Sequence, residues 1–249
     1  MINPALKNIS EFPTSIQPVI TEFANKLLET FSDNVLSVLV YGSAAGINYN
    51  PGVSNINMAV IVKDLNFSLL KQSVDLVKWG HKHKMATPLF LTKEYILNAL
   101  DVFPVEFSEI KEQHKLIFGD DIFSALGIPR QDVRLLCEQQ VKGKLLRLRQ
   151  AYLEIGSNNS GLKNILIAAL NDLMPIFRQL LILKGQQVPE HKEEMLTLMS
   201  KTFALDAEPF LAVYQDKNKK VTISSKLIEV HLQNFLNQLE ILSRHLDLV

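Results

Sequence analysis

The sequence predicts an α/β (α+β) amino-terminal domain, residues 1–125, followed by an all-α helical bundle, residues 130–249. Three observations carry that reading. Residues 35–62 run as apolar strand, Gly-Ser turn, polar loop and second apolar strand. Amphipathic helices and shorter strand-like runs flank this pair as far as residue 118. After Gly127-Ile128-Pro129 the chain carries only long helical periods.

Taken in order, Ile20, Phe23, Leu27 and Leu28 predict an amphipathic helix over 18–30, broken by Ser32, Asp33 and Asn34. Residues 35–40 are mostly apolar, which suits a central strand. Gly42 and Ser43 end it, and Asn48, Asn50, Pro51 and Gly52 mark the next loop as a turn region. A second strand is expected over 55–62. Leu69, Leu70, Val74 and Val77 predict a helix over 67–79, which Gly80 closes as a C-terminal cap. His81, Lys82, His83 and Lys84 read by default as a solvated basic connection, with phosphate contact by Lys82 and Lys84 as the alternative; the two histidines lack the further ligands a metal site needs. A short strand over 87–91 follows, then a helix from an N-cap at Thr92 to residue 100. Pro104 precedes a third strand, 105–110, and residues 115–118 suit an edge strand.

In the second half Val133, Cys137, Val141, Leu145, Leu148, Tyr152 and Ile155 form one helical stripe. The next helix, 162–184, holds Pro175 at a predicted kink and stops at Gly185. Shorter helices over 190–203 and 207–214 precede a charged turn at 216–220. The last helix, 225–246, places Ile228, Leu232, Phe235, Leu239, Leu242 and Leu246 on one face.

Bulk properties narrow the function classes. Lys plus Arg and Asp plus Glu each number 26, so the net charge is zero. That balance gives no global reason to expect nucleic acid or an anionic membrane as a partner. The single cysteine, Cys137, excludes an intramolecular disulfide, fits a reducing compartment and reads as core. The first fifteen residues lack a basic start followed by an apolar run, so no signal peptide is expected. Segment 165–183 is strongly apolar but carries Asp172 and Arg178, which predicts a buried bundle helix rather than a membrane span. The expected location is the cytoplasm.

The strand ending in Gly42-Ser43, the loop after it and the run Asn55-Ile56-Asn57-Met58 resemble the nucleotidyltransferase fold of the DNA polymerase β superfamily. Within it the likeness is to small bacterial nucleotidyltransferases, aminoglycoside-modifying ones included, that carry a helical C-terminal domain. It covers most of residues 18–120, with Val105-Glu106-Phe107 as a third strand. The family pattern is strand, Gly-Ser, loop, acid-apolar-acid, then a further acid on a later strand. The resemblance implies a mixed sheet and a nucleoside triphosphate donor bound with two divalent cations. Residues i and i+2 of a strand share a side, so two acids there grip one metal pair. Glycine lets the backbone approach the phosphates, and the serine hydroxyl can bond their oxygens.

This chain departs from the pattern where the acids belong. Asn55 and Asn57 occupy the two positions, and no Asp, Glu, Lys or Arg occurs from residue 34 to residue 62. An amide offers a neutral carbonyl oxygen and cannot neutralise a dication. Glu106 would remain as a residual third acid. The resemblance therefore implies a nucleotide site at Gly42, Ser43, Asn55 and Asn57, with catalysis impaired, no metal set and no cofactor. Magnesium enters only if the chain is active. The expected partners are a nucleotide or other small molecule, and a second copy of the chain meeting it through the helical half. Two alternatives stand beside this. An active enzyme would need Glu106 with Asp64 or Glu109, yet strand alternation turns Glu109 away from Glu106 and Asp64 lies at the far strand end. A purely structural interaction module would have a closed cleft.

Overall fold

The first unit is organised on strand β1 (Val35–Tyr41), whose Val38, Leu39 and Val40 have no exposed surface. A strand buried on both faces favours apolar residues, and this one has them except at the fully buried Ser37. The computed structural model describes residues 5–47, 49–52 and 54–246; Asn48, named above as a turn residue, lies outside them. Strand β2 (Asn57–Val62) pairs antiparallel with β1 from Val35↔Val62 to Tyr41↔Asn57. Strand β3 (Leu89–Thr92) runs parallel to β2, and β4 (His114–Gly119) antiparallel to β1. The result is a mixed four-stranded sheet in the order β3-β2-β1-β4.

Strand alternation sorts the side chains onto two covered faces. Val38, Val40, Met58, Val60 and Val62 pack with Ile20, Phe23 and Leu27 of α1 (Gln17–Phe31) and Leu69 of α2 (Phe67–Lys82). Leu39, Ala59 and Ile61 pack on the other face with Ile96 of α3 (Lys93–Asn98), Phe107 and Ile110 of α4 (Pro104–Glu112), and Phe123 and Leu126. Thr92 is the expected cap: its hydroxyl accepts the Tyr95 N–H at 3.1 Å.

Two expectations are corrected here. Residues 105–110 are not a strand but the body of α4. Pro104 sits in its first turn, where the missing N–H costs nothing, and Glu106 favours the positive end of the helix. The buried positions Pro104, Val105, Phe107 and Ser108 repeat at helical spacing; Ser108, buried but polar, hides that period in the sequence. Nor does Gly80 cap α2, which runs on to Lys82. Gly80 is buried, and a Cβ there would lie 3.3 Å from Phe23 Cε2 and 3.4 Å from Met85 Cβ. It is small because α1 and the following segment press against it. The left-handed residue after this helix is Lys84, at φ +60°.

The second unit, Pro129–Val249, contains α5 (Arg130–Ile155), α6 (Asn159–Leu183), α7 (Lys192–Thr202), α8 (Glu208–Lys217) and α9 (Ile228–His245). On α5 the predicted stripe is buried from Val133 to Leu148, and Tyr152 is partly exposed. Helix α6 runs through Pro175 and ends before Gly185, at φ +70°. It is long and apolar enough to cross a membrane, but more than half of its most apolar window is buried. Edge-to-face rings join three helices: Phe177 to Phe210 at 5.3 Å and Phe210 to Phe235 at 4.9 Å. Asp216 is not part of a solvated turn. Its side chain is 2% exposed, Lys163 Nζ lies 2.8 Å from Oδ2, and the Ile223 N–H donates to Oδ1 at 3.1 Å.

Candidate functional site

One end of the sheet gathers the chemistry. There β1 finishes and both β2 and β4 begin, with Tyr41 paired to Asn57 on one side and to His114 on the other. The turn after Tyr41 starts at Gly42, φ +72°, a left-handed position that a side chain would occupy only at a cost. A Cβ on Gly42 would also lie 3.2 Å from Asn57 Nδ2. Gly42 and Asn57 are thus in contact across the β1–β2 pair. Ser43 follows in a short 3-10 turn, Gly42–Ala45, and is half-buried. Asn57 is half-buried at the first position of β2, while Asn55 precedes the strand and is exposed. Ile56, between them, is buried, so the two amides straddle an inward-facing residue.

Neighbouring segments complete this end. The Gly42 N–H donates to Gln113 O at 2.9 Å, so the turn is tied to the start of β4. The Gln113 side chain covers Gly46, where a Cβ would meet Nε2 at 2.8 Å. On the β2 side, Ile56 bridges Met85; its N–H donates to Lys84 O at 2.9 Å and its carbonyl accepts the Ala86 N–H at 3.0 Å. The loop before Asn55 is closed on itself, with the Asn50 side chain accepting the Gly52 N–H and the Asn50 carbonyl accepting the Ser54 N–H. Lys84 Nζ donates to Pro51 O in that loop at 2.7 Å.

Glu112 directly precedes Gln113 at this end, and Glu11 Oε2 lies 3.4 Å from Lys115 Nζ. The segments flanking β1 and β2 there read Met85-Ala86-Thr87-Pro88 and Gln113-His114-Lys115. Glu106, expected on a strand, is exposed in the first turn of α4, so strand alternation no longer aims it at Ser43. Asp64 exchanges two hydrogen bonds with Asn34 at the opposite sheet end, beyond Val62. Asp121 is engaged with His114 Nε2 at 3.1 Å and with Ser124, whose hydroxyl donates to Oδ2 at 2.6 Å. Burial alone would raise the Asp121 carboxyl. The Ser124 hydrogen bonds and the His114 charge outweigh it and hold the group below the usual carboxylate range. Burial pushes the Tyr41 phenol up, which keeps it protonated at neutral pH. His81 Nε2 is 3.0 Å from Thr87 Oγ1, and His83 stacks on Trp79 at 4.1 Å. Among the described residues no group of three His, Cys, Asp or Glu side chains is placed to hold a metal ion.

Sheet order, covered faces and the Gly42 turn can be compared with solved structures. The chain superposes on the crystal structure of spectinomycin adenyltransferase from Enterococcus faecialis, determined with ATP and spectinomycin. The TM-score is 0.56 at 12% identity, over 88% of this chain and 97% of that one. The fold is that of the nucleotidyltransferases. No protein-family model and no curated protein matches the sequence. The acid-apolar-acid run that holds two divalent cations in nucleotidyltransferases is resembled here by Asn55-Ile56-Asn57, which offers amides and no carboxylate to such a pair. Both positions are amides, and one of them, Asn57, rests against Gly42.

Of the residues expected from sequence, then, Gly42, Ser43, Asn55 and Asn57 fall at one sheet end. Glu106 lies on helix α4, not on a strand. Gln113 was not foreseen as a neighbour of this end, whereas the basic run offers Lys84 as a phosphate contact beside the default of a solvated loop. The pairing of β4 with β1 brings Gln113 there, while Tyr41 directly precedes Gly42.

Proposed function

We propose that this is a nucleotidyltransferase-fold protein that no longer performs two-metal nucleotidyl transfer and instead binds a nucleotide or related small ligand at the Gly42–Asn57 end of its sheet. The observation that carries the reading is chemical. The two positions that should grip a metal pair are Asn55 and Asn57, and the whole segment from 34 to 62 has no formal charge. Neutral carbonyl oxygens do not offset the cost of stripping water from magnesium, which takes carboxylates and phosphate oxygens. The Gly42-Ser43 turn supports a phosphate ligand, since glycine allows close backbone approach and a serine hydroxyl can bond phosphate oxygens. The similar enzyme was solved with ATP and a small molecule, which supports a ligand of that class.

A cytoplasmic location belongs to the same reading, since Cys137 is buried and free. So does a homodimer through the helical unit. Leu135, Leu146 and Leu153 lie three and then two turns apart along α5 and are 58%, 57% and 83% exposed. Light scattering on purified protein tests that part; a clean monomer at micromolar concentration removes it. Catalysis is tested with labelled nucleoside triphosphates, Mg²⁺ or Mn²⁺ and a broad set of acceptors. No transfer is expected. Metal-dependent transfer that disappears in Asn57→Ala would overturn the proposal.

A further inference from the structure

We infer that Lys84 supplies the positive charge for a phosphate-bearing ligand at this site, in the place where a metal-dependent relative would rely on its cations. The inference rests on the binding reading above and goes on to name the residue responsible.

Two observations converge on Lys84. First, the β2-side ladder fixes its position: Lys84 O accepts the Ile56 N–H at 2.9 Å, so the residue lies alongside the Asn55–Asn57 run. Second, its ammonium reaches over the uncharged loop and donates to Pro51 O at 2.7 Å. A segment without a charged side chain of its own thereby receives one from a residue 33 positions away.

The other cations at this end are committed differently. Lys115 donates to Glu11 O at 2.8 Å and lies 5.3 Å from the centre of the Phe12 ring. His114 is held between Ile110 O and Asp121. A carbonyl partner binds an ammonium weakly compared with a phosphate, so a ligand phosphate can take Lys84 from Pro51 at little cost.

The test is a titration of ATP, and separately of inorganic tripolyphosphate, in EDTA. It is followed by calorimetry and by the fluorescence of Trp79, the single tryptophan, which stacks on His83 next to Lys84. Lys84→Gly removes the charge and relieves the backbone, so its melting temperature should equal or exceed the wild type's. Its affinity for both ligands should fall about tenfold or more, the weight of a charge-assisted hydrogen bond. Lys84→Arg should retain most of the affinity, and Lys82→Ala, an exposed neighbour, should change it less than twofold. Equal affinity in wild type and Lys84→Gly would overturn the role of Lys84 while leaving the binding reading intact. Failure of the wild type to bind either ligand would overturn both.

Discussion

Restoring the missing acids should restore a response to magnesium. In Asn55→Asp/Asn57→Asp the two carboxylates would stand two strand residues apart, about 6.6 Å along the chain. Without metal they repel by about 0.6 kcal/mol if fully solvated and about 2.5 kcal/mol at the effective dielectric of a partly buried site. Asn57 is half-buried and Asn55 exposed, so the cost falls between these limits. The apo variant should melt a few degrees below the wild type. Magnesium at about ten times its dissociation constant returns about 1.4 kcal/mol. For a unit of this size that is about 5 °C in Tm. Thermal unfolding with and without Mg²⁺ reads the effect directly: no shift for the wild type, an upward shift for the double variant. The reasoning fails if magnesium raises the wild-type Tm as much as the variant's, or if the variant does not respond.

Other substitutions probe the scaffold. Gly119→Ala should destabilise the first unit by about 3 kcal/mol or more, because φ is +77° and the new Cβ would fall 1.9 Å from Leu36 O in the neighbouring strand; urea unfolding measures it. The Asp121 carboxyl is held below its ordinary 3.8, so its stabilisation is present above that pH and is lost as pH falls through the folded value. Asp121→Asn should therefore lower stability at pH 7 by less than about 1 kcal/mol, given a side chain 35% exposed, and flatten the loss below pH 4. Asp216→Ala should cost the helical unit about 1–3 kcal/mol, since it leaves the Ile223 N–H without its acceptor. Asp216→Asn, which keeps that acceptor, should cost less in the same denaturant titration.

The parts of the fold readable in the sequence were those where local pattern and tertiary role agree. Residues 58–62 are apolar without interruption, and 35–40 are apolar except for the buried Ser37, because both sheet faces are covered; Gly42 ends β1 because the turn needs a left-handed residue. Helix α9 buries the stripe that its spacing predicts, and α5 buries its own from Val133 to Leu148. Pattern and role parted at 105–110, where Val-Glu-Phe imitates strand alternation over too few residues to separate a period of two from one of 3.6. Gly80 looked like a cap because a glycine ending a helical run usually is one; its packing against Phe23 depends on a helix some fifty residues earlier. Asp216 looked solvated because its partner Lys163 is 53 positions away. The candidate site shows the same division. Gly42, Ser43, Asn55 and Asn57 were legible because they lie within one strand–turn–strand run. Gln113 and Lys84 reach it only through strand pairing, which sequence spacing does not encode.

The most direct measurement is a calorimetric titration of ATP into the wild-type protein, once in EDTA and once in excess Mg²⁺. A site that has exchanged its carboxylates for amides should bind with the same affinity, or more weakly, when magnesium is present. Binding that appears only with magnesium, or tightens tenfold with it, would contradict the account.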